Sequence, residues 1–230
     1  MPRITLRSLL FAAIIAFVRP AAAQEEGFKA LFDGKSLDGW TQHGGAAKYR
    51  VENGEIVGMT VPNTQNTFLC TKKEYGDFIF EVEWKVDPKL NSGIQIRSQV
   101  FDKPTEIDVE GKKKTIPTDR VHGYQVEIDP DVDRGRLFSG SIYDEARRGR
   151  FLADTTNNEA ARKAFKPNDW NTFRVECRGD MIKTWINGVP AVELNDGMTP
   201  KGLIALQVHQ VRDRAEPLEV RWRNIRIREL

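Results

Sequence analysis

Phe78, Phe80, Val82, Trp84 and Val86 fall at every second position of one unbroken run. A period of two over that length describes a β-strand with one buried face and excludes an amphipathic helix. The signature recurs along the chain. Residues 48–52 run through Asn53-Gly54 into 55–59, and 181–186 close on Asn187-Gly188 before 189–194. Asn-Gly is the dipeptide of a two-residue hairpin loop, because both of its positions need a positive φ. Further strand signals cover 67–71, 139–143, 171–178, 202–208 and 218–228, and only 158–165 reads as a short helix. The expected fold is all-β, a two-sheet antiparallel jelly-roll sandwich.

Three strands carry an unusual polar row. They are Gly93-Ile94-Gln95-Ile96-Arg97, Tyr124-Gln125-Val126-Glu127-Ile128-Asp129 and Leu206-Gln207-Val208-His209. Alternation sets Gln95 and Arg97 opposite Ile94 and Ile96, Gln125, Glu127 and Asp129 opposite Val126 and Ile128, and Gln207 and His209 opposite Leu206 and Val208. An ordinary solvated face is richer in Lys, Thr and Ser. The expectation is one concave surface shared by Gln95, Arg97, Gln125, Glu127, Gln207 and His209. The plainer alternative is a solvated face with a Glu127–Arg97 cross-strand ion pair. Residues 101–120 and 144–169 lack strand character and are candidate lids, since long loops in compact domains are usually functional. His43, in a Gly-rich stretch, reads as a surface residue, and His122 is a weaker site candidate.

The first 23 residues read as an export signal. Arg3 and Arg7 precede an apolar run from Leu9 to Val18, and Ala21-Ala22-Ala23 supplies a cleavable end. The run is too short to span a bilayer as a stable helix. Residues 24–230 are then expected to form one exported domain, periplasmic or extracellular, without a membrane span. The leader holds three arginines and no acid, so its removal turns a formal charge of +2 into −1. Nothing in that balance suits nucleic acid. Cys70 and Cys177 each sit in a strand-like run and read as two buried free thiols, with no spacing that suggests zinc.

Several stretches together resemble one family. They are Leu31-Phe32-Asp33-Gly34-Lys35-Ser36-Leu37-Asp38-Gly39-Trp40, Asn91-Ser92-Gly93-Ile94-Gln95-Ile96-Arg97 and Gly123-Tyr124-Gln125-Val126-Glu127-Ile128-Asp129, followed by Asp169-Trp170-Asn171, Trp185-Ile186-Asn187-Gly188, Gly202 through His209, and Arg223-Asn224-Ile225-Arg226-Ile227. In this order they are similar to the 3-keto-disaccharide hydrolase family. The resemblance implies a concanavalin-like jelly roll, export, and cleavage of glycosides already oxidised to a ketone at C3. The chain departs from the family pattern where Gln210 follows His209, where a charged stretch runs on to Pro217, and where Trp222 stands in place of Phe.

A ketone at C3 acidifies the hydrogen on C2. Removing it gives an enediolate, the C1 substituent leaves, and water adds to the enone. Such a site needs a base, an electrophile at the C3 oxygen and an acid for the leaving group. Glu127 or His209 is the candidate base and Arg97 the candidate electrophile. Gln95, Gln125 and Gln207 can fix sugar hydroxyls, with Asp129 and Tyr143 also placed against the substrate and Tyr143 a candidate proton donor. No cofactor is assured. A divalent cation held by Glu127, His209 or Asp129 is one option for stabilising an enediolate. Asp129, Asp131 and Asp133 imitate the start of a calcium loop, but Arg134 and Gly140 stand where Gly and Glu are needed. Two other readings remain. One is a retaining laminarinase-type glycosidase using Glu127 and Asp129, which needs carboxylates about 5–5.5 Å apart. Pro130 interrupts that strand. The other is a non-catalytic carbohydrate-binding module.

Overall fold

The computed structural model describes residues 27–130, 138–213 and 216–230. The leader, and Asp131 and Asp133 of the calcium-loop pattern, lie outside the described residues. The strands in chain order are β1 (Lys29–Ala30), β2 (Trp40–Gly44), β3 (Lys48–Glu52), β4 (Glu55–Met59), β5 (Thr67–Thr71), β6 (Phe78–Val86), β7 (Ser92–Gln99), β8 (Thr105–Val109) and β9 (Lys112–Ile116). After them come β10 (His122–Ile128), β11 (Ile142–Glu145), β12 (Phe151–Ala153), helix α1 (Glu159–Ala164), β13 (Asn171–Arg178), β14 (Met181–Ile186), β15 (Val189–Asn195), β16 (Leu203–Val208) and β17 (Glu219–Glu229).

Two large antiparallel sheets face each other, as the alternation demands. The first runs β15-β14-β13-β6-β17-β4-β3, with β1 added beside β17; the second runs β12-β11-β10-β7-β16-β5-β2. Phe78, Phe80, Val82, Trp84, Phe173, Val175, Val220 and Trp222 come from the first sheet, and Ile94, Ile96, Val126, Ile128, Leu206 and Val208 from the second, to form one buried core. Trp84 anchors it, stacked on Phe165 at 6.0 Å and tilted onto Phe173 at 4.9 Å. Both predicted Asn-Gly loops form. Asn53 and Gly54 have φ of 52° and 78°, and Asn187 and Gly188 have 49° and 81°. The helix is capped by Asn158, whose side chain accepts from Ala161 N and donates to Pro190 O and Ala191 O, tying α1 to β15.

The fold departs from expectation in the two excursions and at His43. Residues 101–120 contain the hairpin β8–β9, which turns on Glu110-Gly111 with φ of 54° and 78°. Glu in place of Asn and the run Lys112-Lys113-Lys114 hid it. Residues 144–169 contain, besides the expected helix α1, the end of β11 and the strand β12. His43 lies on β2, opposite Phe68 of β5. Cys70 and Cys177 are free and buried, as expected. Burial raises both thiols well above the ordinary range, Cys177 to about 12.

Gly58 of β4 lies where side chains of both sheets close in on the backbone. A Cβ there would meet Val208 Cγ2 at 2.5 Å and Trp222 Cζ3 at 3.0 Å, one neighbour from each sheet. Gly58→Val should therefore overpack the core and cost about 1–3 kcal/mol. In a domain of this size that lowers the melting temperature by roughly 2–4 °C per kcal/mol. Scanning calorimetry checks it, and an unchanged melting temperature would contradict the close approach.

Candidate active site

The outer face of the second sheet carries a connected chain of amides that ends on a carboxylate. In register, Gln125 of β10 faces Gln95 of β7, while Glu127 faces Gly93 of β7 and Gly93 faces Gln207 of β16. Gly93 makes the connection. A Cβ at 93 would lie 2.5 Å from Gln125 Cδ, so the Gln125 side chain occupies the space a larger residue would fill. Gln125 thereby reaches across β7. Its Oε1 accepts from Gln95 Nε2 at 2.7 Å and from Gln207 Nε2 at 2.8 Å, and its Nε2 donates to Glu127 Oε2 at 2.7 Å. Ser98 Oγ donates to Gln95 Oε1 at 2.7 Å, and Asn91 Nδ2 donates to Glu127 Oε1 at 2.6 Å. Among the described residues one acceptor, Gln207 Oε1, is buried without a partner.

Glu127 is 6% exposed, and among the described residues no cation pairs with it. Burial pushes its carboxyl up to about 7. The amide hydrogen bonds from Asn91 and Gln125 pull it down, and the charges of Asp129 and Glu145 add to the rise. The group therefore titrates where a general base is most useful. Tyr143, on β11 directly opposite Gln125, is half-buried with its ring edge-on to Phe151 at 5.3 Å. Burial, and then the charges of Glu145 and Glu127, raise its hydroxyl above the ordinary phenol range.

Arg97 is not on this face, contrary to the strand alternation. Its φ is +45°, and Arg97 and Ser98 together oppose Gly123 in a bulge of β7. The extra residue turns Arg97 away and puts Ser98 beside Gln95. The wholly buried guanidinium donates to Gly76 O at 2.8 Å, Gly179 O at 2.7 Å and Asp77 Oδ1 at 2.8 Å. It fastens the second sheet to the ends of the first and is not available to a ligand.

His209 lies one residue beyond β16, half-buried, with Nδ1 2.9 Å from Gln210 O. A carbonyl only accepts, so Nδ1 carries the proton. No hydrogen bond joins His209 to Glu127. Asp129 is buried just past the end of β10, its backbone N–H donating to Ser139 Oγ at 3.1 Å. His122 is buried, packed on Phe101 at 4.8 Å, and burial lowers its pKa. His43 is paired with Asp119, Nδ1 to Oδ1 at 2.6 Å.

Four residues near the site had no assigned role in the sequence. Asn91 and Glu145 are in phase with Gly93 and Tyr143, so alternation alone could have placed them. Asn66 and Arg120 stand outside strands, where no periodicity speaks. Asn66 Nδ2 and Arg120 Nη2 both donate to Glu145 Oε1. Among the described residues no group of three or more His, Cys, Asp or Glu side chains could hold a metal ion, so the residues present offer a cation no such ligand set. A cavity of about 710 Å³ lies against the outer face of the first sheet, but its charged groups are already engaged, Asp33 by the backbone N–H groups of Lys35 and Ser36. Arg174 and Arg226 both bind Glu81, while Asn224 binds Glu83.

The family pattern for a 3-keto-alpha-glucoside-1,2-lyase-like domain matches residues 27–228. The chain belongs to that family. The family's link to carbohydrate is therefore this chain's as well. No curated protein matches the chain. Among solved structures, a protein of Bacillus subtilis with a galectin-like fold superposes with a TM-score of 0.62 at 11% identity, covering 88% of this chain and 98% of the other. A provisionally assigned glycosyl hydrolase of Parabacteroides distasonis gives 0.57 at 18% identity, covering 89% and 94%. The carbohydrate-binding module CBM66 of Bacillus subtilis gives 0.56 at 14% identity, covering 83% and 96%. These likenesses establish the jelly-roll fold of the family member described here.

Because the raised Glu127 pKa favours its protonated form in the fold, the stability it contributes is present below 4.5, its ordinary value, and is lost as pH rises through about 7. The loss amounts to about 3 kcal/mol. Carbon-13 NMR of the Glu127 carboxyl should give a midpoint near 7. Asn91→Ala should move it higher still, since it removes a hydrogen bond that favours the charged form. A midpoint near 4.5 in the wild type would contradict the burial argument.

Proposed function

We propose that this protein cleaves 3-keto-glycosides by removing the C2 proton, expelling the C1 substituent and adding water to the enone, and that it does so after export. The observation that carries the reading is Glu127, a buried carboxylate with a raised pKa and, among the described residues, no paired cation, set at the end of an array of amides. Glu127 takes the C2 proton. Tyr143, kept protonated by its surroundings, gives a proton to the departing oxygen. Asn91 and Gln125 donate to the two oxygens of Glu127 and hold the carboxylate in place. Electrons balance without a redox partner. The C–H pair forms the C2=C3 bond while the carbonyl pair moves to oxygen. That pair then returns as C1=C2 forms and the C1–O bond breaks.

A retaining glycosidase is less well supported, because both oxygens of Glu127 are held by amides and β10 stops at Ile128 before Asp129. A binding module would use the same amides to read hydroxyls, but has no need of a carboxyl tuned to about 7.

The test is incubation of the protein with a 3-keto-glucoside and with its unoxidised parent. Aglycone should appear from the ketone alone, with kcat/KM rising with pH through about 7, and Glu127→Gln should lower turnover roughly 10²-fold or more. Comparable cleavage of the unoxidised glycoside would favour the two-carboxylate mechanism, and binding of both sugars without cleavage would favour the module. Export is tested separately, by mass spectrometry of the N-terminus from the native cell. An intact Met1 would refute it.

A further inference from the structure

The proposed chemistry leaves negative charge on the C3 oxygen, and the sheet floor supplies no cation to meet it. Arg97 has turned away into the sandwich with each of its three nitrogens engaged. The floor residues Gln95, Gln125 and Gln207 are neutral. A cation must come from elsewhere.

Arg120 stands in the segment that leads into β10. That segment is clamped by Asp119, whose Oδ1 holds His43 Nδ1 at 2.6 Å and whose Oδ2 accepts from Gly44 N at 2.9 Å. Val121 packs on Phe68, Cys70 and Ala205 of the outer face. The segment therefore lies over β5 and β16 and walls the amide floor on that side. From this wall the Arg120 guanidinium reaches Glu145 of β11. Glu145 also accepts from Asn66, just before β5, and Asn66 Oδ1 accepts from Gln210 N at 2.9 Å, next to His209. In the sheet order, β10, β7 and β16 lie between β11 and β5. The Glu145–Asn66 link therefore passes over the three strands that carry Glu127, Gln125, Gln95 and Gln207.

Arg120 spends one donor on Glu145. Among the described residues its Nε and Nη1 make no hydrogen bond, and the side chain keeps 23% of its exposure. A guanidinium can hold a carboxylate with one nitrogen and still present a fork of donors to an oxyanion.

We propose that Arg120, carried over the sheet by the 117–121 segment and positioned by Glu145, is the electrophile that receives the negative charge on the substrate's C3 oxygen. This rests on the elimination reading above. As Glu127 takes the proton, Arg120 donates to the forming oxyanion without releasing Glu145, and when the carbonyl re-forms the donors are free again.

The experiment uses the whole protein in deuterated buffer with a 3-keto-glucoside, following C2 exchange by NMR and aglycone release by absorbance. Removing an oxyanion donor typically costs 10²–10³-fold. Arg120→Met should lower exchange and release together by about 10²-fold or more, with Arg120→Lys between it and the wild type, and guanidinium in the buffer should restore part of the exchange. A drop of less than tenfold in an Arg120→Met protein that melts like the wild type overturns the proposal. So does a larger drop that neither guanidinium nor the lysine variant relieves, since that pattern belongs to a structural role. If Arg120→Met does not fold, Arg120→Lys decides: a tenfold or greater loss of exchange supports the proposal, and a smaller one overturns it. A wild type inert toward the ketone would instead remove the elimination reading, and the role of Arg120 with it.

Discussion

The hydrogen-bond chain that organises the outer face exists because β7 has no side chain at Gly93. A bare backbone at that point lets Gln125 lie flat across the strand and touch residues of three strands at once. With any larger residue at 93, Gln125 would be displaced, Gln207 would lose its donor's acceptor, and Glu127 would lose one of the two amides that hold it. The position of the carboxylate thus depends on a missing atom in the neighbouring strand. That dependence also explains how a glutamate can sit buried with no cation paired to it among the described residues. Two amide donors satisfy its oxygens but do not neutralise its charge, so the cost of burial appears as a raised pKa instead of an ion pair.

Much of this was legible in the sequence. Period-two alternation located most of the longer strands of both sheets, and Asn53-Gly54 and Asn187-Gly188 fixed two hairpins with their register. The same alternation placed Gln95, Gln125, Glu127 and Gln207 on one surface, because the sheet is regular there. It failed at Arg97, where a bulge inserts one residue and reverses the phase. Nothing in Ile96-Arg97-Ser98 announces a left-handed residue, which is more often Asn or Gly. It could not speak for Arg120 or Asn66, which reach the site from connecting segments by tertiary contact. The short strands β2, β8 and β9 were missed because a Gly-rich stretch and a lysine run obscured them.

The sandwich alone does not decide between cutting a sugar and holding one. Similar jelly rolls at 11–18% identity are described in one case as a binding module and in another as a provisionally assigned hydrolase. In the reading proposed above, what separates the two outcomes is the electrostatics of the face. A surface of glutamines reads hydroxyl patterns by matching donors and acceptors. Adding one carboxyl that exchanges its proton near neutrality turns a recognition surface into one capable of proton transfer.

The two cysteines carry a last consequence. Cys177 lies between the sheets and Cys70 in the small apolar cluster outside the second sheet, so a layer of backbone separates them. Both are sealed from solvent and held as neutral thiols. Since only the thiolate attacks a disulfide or an oxidant, the finished molecule is chemically silent toward the redox poise of its surroundings. It requires no oxidative folding catalyst to mature and offers a disulfide reductant nothing to undo, so its cohesion rests on packing, hydrogen bonds and ion pairs without a covalent cross-link.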